Sequence, residues 1–420
     1  MIDPISDELK IFKIRQQFDD SREDDAVAAI DREFSNGNYL PDLAGKSVAI
    51  SAGSRGISNI AKIIKAIASN VKKLNGIPFI VPAMGSHGGG TADGQTAVLK
   101  NYGITEDFCQ CEIRSSMETI TVCQANEGFP VHFDKEASQA DYVIVCGRIK
   151  PHTDFTGPIQ SGLMKMMLIG LGKHEGAKVY HKAIKDYTFD TIVRSVAREV
   201  IDKCNILCGI GIVENAFEET SHIEMVAPDK IESREEELLE LATAQMPKLP
   251  FDQADLLIID EIGKEISGAG MDTNIIGRKY YDHFPADHEF PKIKRIAVRG
   301  LTEATHGNAT GIGMAEFCRT TALEAMNVET TRINCLTAGH VTAAMSPIDF
   351  ATDKEIIDQA LNTVGFCDAT SAKVMWIKNT LHITELYCSE YFYESAKQRD
   401  DLKILTEPTN LPFDEDGNLT

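Results

Sequence analysis

The chain has 420 residues, of which 43% are hydrophobic and 25% charged, a composition typical of a folded globular protein rather than a disordered one. Its 63 acidic residues outnumber the 42 basic ones, and the net charge of −21 disfavours binding to nucleic acid or to anionic membranes. The sequence shows neither an apolar run of about 18 residues, as a membrane span needs, nor a secretory signal, so we expect a cytoplasmic protein.

The N-terminal part of the chain alternates predicted strands with predicted helices. Lys46–Ser51, Phe79–Val81 and Asp141–Cys146 are apolar runs typical of strands buried in a parallel sheet. Isoleucines at helical spacing predict an amphipathic helix over 60–71, and Thr91 is a predicted N-cap of a further helix. This alternation predicts an α/β fold with mostly parallel sheets.

A second α/β domain is predicted in the C-terminal part of the chain. The charged helix Glu232–Ala244 is followed by two prolines in Met246–Pro250, a pattern typical of a domain boundary. Further strands are predicted at Ala254–Asp260, Ile296–Arg299 and Val374–Ile377. We therefore predict two domains, residues 1–248 and 249–420. The polar tail Leu411–Thr420 is predicted to be extended.

Polar side chains lie in three loops that follow predicted strands. Arg55 follows the first strand, His87 lies in the Gly-rich loop Pro82–Gly90, and His152 follows Pro151 after the third strand. In open α/β sheets, ligands bind beyond the carboxyl ends of the strands. We therefore expect Arg55, His87 and His152 to line one crevice.

Lys165 lies within the apolar segment Leu163–Ile169, where a lysine is unexpected. In such surroundings it must reach water, form an ion pair or lose its proton. A desolvated lysine with a lowered pKa is a nucleophile or a point of covalent attachment. The alternative is that Lys165 lies at the edge of an element and reaches water. His174 and His181 follow it, and histidine suits both general base catalysis and metal ligation.

The sequence lacks the usual cofactor motifs. The Gly-rich stretches Gly85–Gly90, Gly170–Lys173 and Gly307–Gly313 match neither the phosphate-binding loop nor the dinucleotide fingerprint, so tight turns are favoured for each. None of the ten cysteines forms a CxxC pair, and Cys109 and Cys111 are too close for good zinc geometry. We expect reduced thiols, most of them buried.

The residues around Lys165 carry a resemblance to a known family. A Pro151–His152 pair precedes Lys165, and His181 follows Lys165 by 16 residues. With Ser54–Arg55, His87, and the segments Ile266–Asn274 and Thr302–Asn308, this pattern resembles the nickel-dependent lactate racemase superfamily over most of the chain. Members of that superfamily racemise or epimerise 2-hydroxy acids, so the resemblance implies an isomerase.

The resemblance implies a cofactor and a role for five residues of the N-terminal part. The cofactor is a nickel-pincer nucleotide, nickel pyridinium-3,5-bisthiocarboxylic acid mononucleotide, covalently linked at Lys165. The resemblance places it in an active-site crevice between the N-terminal and C-terminal domains. His181 binds this cofactor as the nickel ligand. His87 and His152 are the catalytic acid/base pair on either side of the substrate, and Arg55 binds the substrate carboxylate.

The resemblance also implies substrate-binding residues in the C-terminal part. Asp272, Asn274 and Arg278 lie in one loop, which is expected to face the substrate. The alternative is a turn capped by the Asp272 side chain.

The implied reaction inverts C2 of a 2-hydroxy acid by hydride transfer to and from the cofactor. The C–H bond at C2 is too weakly acidic for easy proton removal, and removal of a hydride instead requires an electron sink, which the cofactor supplies. The sequence departs from the lactate-specific pattern in two places. Lys165 follows His152 by 13 residues and comes after Gly-Leu-Met, and the polar Thr153 and Asp154 follow His152. A wetter pocket favours a sugar acid over a lactate-like substrate.

Two alternatives remain beside the racemase or epimerase. An NAD-dependent 2-hydroxy acid dehydrogenase shares the substrate chemistry but lacks its dinucleotide fingerprint here. A non-catalytic cofactor-binding or carrier protein would use Lys165 and His181 but neither His87 nor His152. The expected partners are the 2-hydroxy acid and the proteins that make the cofactor, with neither nucleic acid nor membrane; a homo-oligomer is left open.

Overall fold

The computed structural model describes residues 4–420, which form two compact units. One unit comprises residues 19–246, and the other comprises residues up to 18 together with 247–420. The described strands are β1 Lys10–Gln16, β2 Ser47–Ala52, β3 Ile77–Pro82, β4 Glu112–Ile113, β5 Thr119–Gln124, β6 Pro130–Asp134, β7 Tyr142–Arg148, β8 Ile206–Glu214, β9 Thr220–Val226, β10 Gln253–Ile259, β11 Lys292–Val298, β12 Phe317–Arg319, β13 Ile348–Phe350, β14 Val374–Ile377, β15 Glu385–Ser389, β16 Leu402–Ile404 and β17 Thr409–Asn410. The described α-helices are α1 Ala26–Asn36, α2 Ile60–Lys73, α3 Ala92–Asn101, α4 Glu106–Cys109, α5 Lys135–Ser138, α6 Leu163–Lys165, α7 Lys173–Ala183, α8 Phe189–Lys203, α9 Ile231–Gln245, α10 Thr273–Ile276, α11 Thr320–Glu324, α12 Val328–Ala338, α13 Asp353–Leu361 and α14 Tyr393–Lys397.

Unit 19–246 is built on a six-stranded sheet in the order β4-β3-β2-β7-β8-β9. All neighbours in this sheet are parallel except β8 and β9, so the predicted α/β fold with mostly parallel strands is confirmed. From β2 the chain moves to β3 on one side and later returns to β7 on the other. The carboxyl ends of β2 and β7 therefore form a topological switch point, where open α/β sheets bind their ligands.

Both faces of this sheet are covered by helices. In β2, Ala49 packs into one hydrophobic core, together with helix α8, while Val48 and Ile50 pack into a second core with α1 and α2. Strand β7 divides in the same way, with Val143 and Val145 on one side and Ile144 on the other. Burial on both faces explains why these strands are continuously apolar rather than alternating.

The second unit carries a nine-stranded sheet, in the order β13-β12-β11-β10-β14-β15-β1-β16, with β17 paired to β1. The five neighbouring strands β13, β12, β11, β10 and β14 run parallel. The pairs β14–β15, β15–β1 and β1–β16 are antiparallel. Strand β1 belongs to this sheet because Leu9, Ile11, Phe12 and Ile14 find their apolar surroundings there. The predicted N-terminal domain 1–248 includes these first residues, whereas in the structure they belong to the unit that contains 247–420.

The predicted extended tail is wrong, because residues 411–420 fold back on themselves. Phe413 pairs with Leu419 across a turn in which Asp414 accepts backbone N–H groups. Leu411 and Leu419 are both buried in the core of their unit. Two apolar residues in a polar segment are enough to hold it against the protein.

Several local predictions are confirmed. The Thr91 side chain accepts the backbone N–H of Gly94 and so caps α3. Strand β14 has the predicted bounds Val374–Ile377, and Trp376 is a buried residue within it. All ten cysteines are free thiols, eight of them buried.

Within residues 4–420, no helix combines the length and apolarity needed to cross a bilayer.

Candidate active site

Three loops of unit 19–246 leave the sheet at the same edge. The loop after β2 carries Ser54 and Arg55, the loop after β3 carries His87, and the loop after β7 carries His152. Because β2, β3 and β7 are parallel neighbours, these loops meet at the carboxyl edge of the sheet, at the switch point. The shared edge is the one expected from the sequence, whereas the chemical roles of its residues stay predictions.

The His87 side chain is held by the loop after β2. Ser54 Oγ lies 2.5 Å from His87 Nδ1, and the Ser54 carbonyl accepts a hydrogen bond of 2.8 Å from the Tyr102 hydroxyl. A hydroxyl can donate or accept, so Ser54 is compatible with either neutral tautomer of His87. When Ser54 accepts from Nδ1–H, Nε2 carries a lone pair that can take up a proton.

The ring of His152 is oriented by the backbone that follows it. Its Nδ1 accepts the N–H groups of Asp154, at 3.0 Å, and Phe155, at 3.1 Å. A nitrogen that accepts hydrogen bonds carries no proton, so neutral His152 carries its proton on Nε2. The backbone N–H of His152 in turn donates to Gln160 Oε1 at 2.9 Å.

A stack of three rings joins His152 to Lys165. The His152 and Phe155 rings are parallel with centroids 4.1 Å apart, and Phe155 stacks on Phe189 at 3.9 Å. The Lys165 ammonium lies over Phe155, with Nζ 5.1 Å from the ring centroid. Phe155 therefore brings together two predicted site residues that are 13 positions apart in sequence.

Lys165 is half-buried and lies in a positive environment. Burial and the nearby charge of Arg55 lower the pKa of Lys165 to about 7. Among residues 4–420, no carboxylate lies within ion-pair distance of the Lys165 or Arg55 side chain. Partial desolvation and the charge of Arg148 also lower the pKa of Arg55. Arg148 itself forms an ion pair with Glu214, so Arg55 and Lys165 are the cations left available to an anion or an electrophile.

His181 lies on the same helical segment as Lys165. Helix α6 ends at Lys165, a π-helical turn follows over Met166–Gly170, and helix α7 carries His181 near its C-terminus. Partial desolvation and the positive charges of Lys165 and Lys185 lower the pKa of His181. A histidine that is neutral at physiological pH is a good ligand for nickel or zinc.

Glu235 holds the start of the Lys165 segment. Its Oε2 accepts the backbone N–H of Met164 at 2.8 Å. Burial raises the pKa of Glu235 to about 7. Its Oε1 lies where a side chain at Gly162 would have to begin, because a Cβ there would come within 2.3 Å of it. A side chain larger than that of glycine at position 162 would therefore clash with the Glu235 carboxylate.

The residues predicted in the other unit form a capped turn. Asp272 Oδ1 accepts the backbone N–H of Asn274 at 2.9 Å and so caps helix α10. Arg278 is only 1% exposed, and its guanidinium donates to the Glu316 carboxylate and the Met314 carbonyl. These contacts are those of an internal structural arginine, so we leave Arg278 out of the proposed site.

The sequence did not indicate three residues that contact the site segments. Phe155 packs against His152 and Lys165, Glu235 binds the backbone before Lys165, and Gln95 donates to the backbone of the His87 loop. Glu235 carried a signal, because it lies on the buried stripe of α9 with Ile231, Leu238 and Leu239, where a carboxylate is out of place. Phe155 carried none, since an aromatic residue in a polar loop does not reveal its stacking partners.

The residues present do not form a complete metal site by themselves. Within the described part of the chain, no group of three or more His, Cys, Asp or Glu side chains is arranged to hold a metal ion. A metal bound beside His181 would therefore take its other ligands from a bound cofactor. A single histidine beside a lysine of lowered pKa fits a cofactor that brings its own metal ligands.

Comparisons with known proteins found one family model and a similar solved structure. Residues 46–190 match the family model of the lactate racemase N-terminal domain, and this segment contains Arg55, His87, His152, Lys165 and His181. The structure of the lactate racemase apoprotein from Thermoanaerobacterium thermosaccharolyticum is similar with a TM-score of 0.51 at 15% sequence identity, covering 92% of this chain and 90% of that chain. At this identity the likeness concerns the fold. No curated protein matches the chain.

Proposed function

We propose that the chain is a member of the lactate racemase superfamily, which the match of residues 46–190 supports, and that it is a racemase or epimerase that inverts C2 of a 2-hydroxy acid with the help of a nickel-pincer nucleotide. The observation that carries the proposal is the Lys165 amine. It is half-buried, has a pKa of about 7, and shares one helical segment with His181. Beside it, Arg55 has no carboxylate partner within residues 4–420.

Lys165 and His181 are the residues that would hold the cofactor. A lysine of lowered pKa is partly unprotonated at neutral pH and can form a covalent bond to an acyl carbon. His181 would complete the coordination of the nickel ion through a neutral imidazole nitrogen. When bound, this cofactor supplies an electron sink that accepts the hydride from C2 and gives it back.

Arg55 would fix the substrate by its carboxylate. A guanidinium pairs with a carboxylate through two parallel hydrogen bonds, which hold the acid while its C2 substituents turn. Such a partner would also relieve the repulsion between Arg55, Lys165 and Arg148 that lowers the pKa values of Arg55 and Lys165.

His87 and His152 would handle the hydroxyl proton in two different ways. His87 can accept this proton at Nε2 while its Nδ1–H is held by Ser54 Oγ. His152 presents an Nε2–H donor to the substrate oxygen in its neutral form. To carry a second proton, His152 needs an acceptor at Nδ1, and the Asp154 carboxylate lies 3.9 Å away. We propose that Asp154 supports the protonated state of His152.

The loop after His152 supports a polyhydroxylated substrate such as a sugar acid. Asp154 is about half-exposed, with 48% of its side chain accessible, and Thr153 precedes it. A carboxylate and a hydroxyl at this position can pair with substrate hydroxyl groups, which an apolar loop would leave unpaired.

The first test measures intact mass and nickel content of the protein co-produced with the enzymes that build the cofactor. We expect a covalent adduct with stoichiometric nickel in the wild type, and loss of both in Lys165→Ala. The matched control is Lys178→Ala, which removes an exposed lysine of α7 that pairs with Glu175. A wild type that stays free of adduct and nickel, in a host that loads a known lactate racemase, would overturn the cofactor assignment.

The second test separates an enzyme from a carrier. Loaded His87→Gln and His152→Gln variants should retain nickel but lose interconversion of the two enantiomers or epimers. A panel of sugar acids together with lactate then defines the substrate, and faster turnover of lactate than of every sugar acid would contradict the sugar-acid proposal. Net formation of a keto acid with reduced nicotinamide would indicate a dehydrogenase instead.

A further inference from the structure

A fully buried ion pair lies beneath the His87 loop. Lys173 and Asp134 are both 0% exposed, and Lys173 Nζ lies 2.8 Å from Asp134 Oδ2. Lys173 also has a left-handed backbone, with φ of +54°, which is rare for a residue with a side chain. The fold therefore accepts both the desolvation of a charge and backbone strain at this position. Neither Lys173 nor Asp134 has a role in the proposed reaction.

The Lys173 ammonium also has two hydrogen-bond acceptors. Nζ donates to the carbonyl of Pro82, the last residue of β3, at 2.5 Å. It also donates to Gln95 Oε1, at 3.4 Å. The ammonium therefore connects the end of β3 and helix α3 to the first residue of α7, the helix that carries His181.

The contact with Lys173 fixes the orientation of the Gln95 amide. An ammonium only donates hydrogen bonds, so it must face the amide oxygen, and the NH₂ group points the other way. That NH₂ group donates to the carbonyl of Gly85 at 2.8 Å and to the carbonyl of His87 at 3.3 Å. Gln95 is itself 0% exposed, so these carbonyls find their donor inside the protein.

We propose that Gln95, oriented by the Lys173–Asp134 ion pair, is a positioning residue that holds the His87 loop so that His87 Nδ1 meets Ser54 Oγ. In this loop Gly88, Gly89 and Gly90 all have a positive φ, and Gly89 has open space around it. Three consecutive glycines lower the cost of alternative loop conformations. The two hydrogen bonds from Gln95 select one of them.

The catalytic meaning of this role rests on the proposed function, but the positioning itself can be measured on the protein without cofactor. Gln95→Met removes both amide donors while keeping the length of the side chain and the Lys173–Asp134 pair. Gln95→Glu keeps an acceptor for Lys173 but places a carboxylate oxygen against the carbonyls of Gly85 and His87. Gln124→Met, at an exposed position on β5, is the matched control.

Two measurements follow the loop directly. Hydrogen exchange reports on the backbone N–H groups of Gly85, His87 and Gly90, which bond to Gly170, Met84 and His87 respectively. The ¹⁵N shifts of the His87 imidazole report on its contact with Ser54. We expect these amides to exchange roughly tenfold faster or more in both Gln95 variants, with unchanged exchange in β2 and β7. The His87 shifts should move toward those of a solvated histidine.

Each outcome decides the proposal. Wild-type exchange at 85–90 in Gln95→Met would overturn it, as would faster exchange that is uniform over the unit, since Gln95 would then contribute only to global stability. Lys173→Met should loosen the same loop; if it fails to fold, the Gln95 variants still decide.

In the loaded enzyme we expect the Gln95 variants to have a lower kcat with little change in KM. If loaded wild type lacks isomerase activity, the proposed function fails while the exchange result still stands.

Discussion

The chemistry of Lys165 arises from what surrounds its ammonium group. Phe155 offers the face of its ring, and Arg55 adds a like charge. The cation–π contact favours the charged lysine, whereas burial and repulsion by Arg55 favour the neutral amine and lower the pKa of Lys165. The fold thus gives this side chain a nucleophilic amine near neutral pH.

The lowered pKa predicts a pH profile for the acylation of Lys165. Because the neutral amine reacts and the ammonium does not, labelling by an acylating reagent should rise with pH, be half-maximal near the pKa of about 7, and level off above it. Peptide mass spectrometry measures this at Lys165 and, in the same sample, at the exposed Lys178. Labelling of Lys165 that still rises steeply between pH 9 and pH 10 would contradict the lowered pKa.

The hydrogen bonds of His152 predict its tautomer. With Nδ1 accepting from Asp154 and Phe155, neutral His152 should carry its proton on Nε2. The ¹⁵N shifts of the imidazole, measured well above its titration range and assigned with His152→Gln, distinguish the two nitrogens. Finding the proton on Nδ1 would show that the backbone contacts are absent in solution.

The site was predictable where its signal is local in sequence. Lys165 stood out because its neighbours are apolar, and His87 because its loop is rich in glycine. Glu235 showed only that a carboxylate lies on the apolar stripe of α9; its partner Met164 lies 71 residues away, and only folding joins them. Arg278 looked like a substrate-binding residue, but no local pattern reveals that Glu316 neutralises it inside the protein.

At the scale of elements, Glu235 is the internal cap of α6. Its carboxylate accepts the backbone N–H of Met164, which would otherwise lack a partner at this buried helix start. Removing it in Glu235→Ala should lower the free energy of unfolding by about 3 kcal/mol. Glu235→Gln retains an oxygen acceptor and should cost about 1 kcal/mol or less, as measured by urea unfolding.

The same carboxyl group predicts how stability changes with pH. Its pKa is raised from 4.5 to about 7, so between these values the folded protein binds more protons than the unfolded chain. Stability from this group is therefore present at low pH and is lost as pH rises toward 7. Glu235→Gln should flatten this part of the profile, and an unchanged slope would show that Glu235 is ionised throughout.

Close contact between two loops explains the glycines of the C-terminal motifs. A Cβ at Gly270 would lie 1.8 Å from the Thr310 carbonyl oxygen, in addition to the strain of its φ of +85°. We expect Gly270→Ala to lower the free energy of unfolding by about 4 kcal/mol or more. Gly45→Ala is the control, because Gly45 has a similar φ of +70° but no atom near its Cβ position, and it should cost only about 1 kcal/mol. Equal losses in the two variants would argue against the close approach.

The order of elements was predictable, but the partner of the first strand was not. Apolar runs and caps indicated β2, β7 and β14 within one or two residues. Strand β1 pairs with β15, more than 360 residues away along the chain, and its pattern does not say which sheet it joins. Sequence order therefore suggested the N-terminal domain, whereas pairing assigns it to the other unit.

At the scale of the whole molecule, the charge at the candidate site is opposite in sign to the net charge of the chain. The chain carries a net charge of −21, yet Arg55 and Lys165 lie together with no carboxylate within ion-pair distance of either in the described residues. Such a local positive site attracts a small anion over distances of about a Debye length, while the acidic surface repels polyanions. This fits a 2-hydroxy acid better than any larger anionic partner.

The division into units predicts which part of the chain folds alone. Residues 19–246 contain the six-stranded sheet with both of its cores, and none of its strands pairs outside the unit. A polypeptide of residues 19–246 should therefore unfold cooperatively, as judged by urea titration with two probes. A polypeptide of residues 1–246 keeps β1 without its partners β15 and β16 and so exposes Ile11, Phe12 and Ile14. Unpaired apolar strands associate, so we expect this longer polypeptide to aggregate at concentrations where 19–246 is monomeric. Sedimentation compares the association states of the two polypeptides directly. Equal association states would mean that the apolar side chains of the first strand are buried elsewhere in the longer polypeptide.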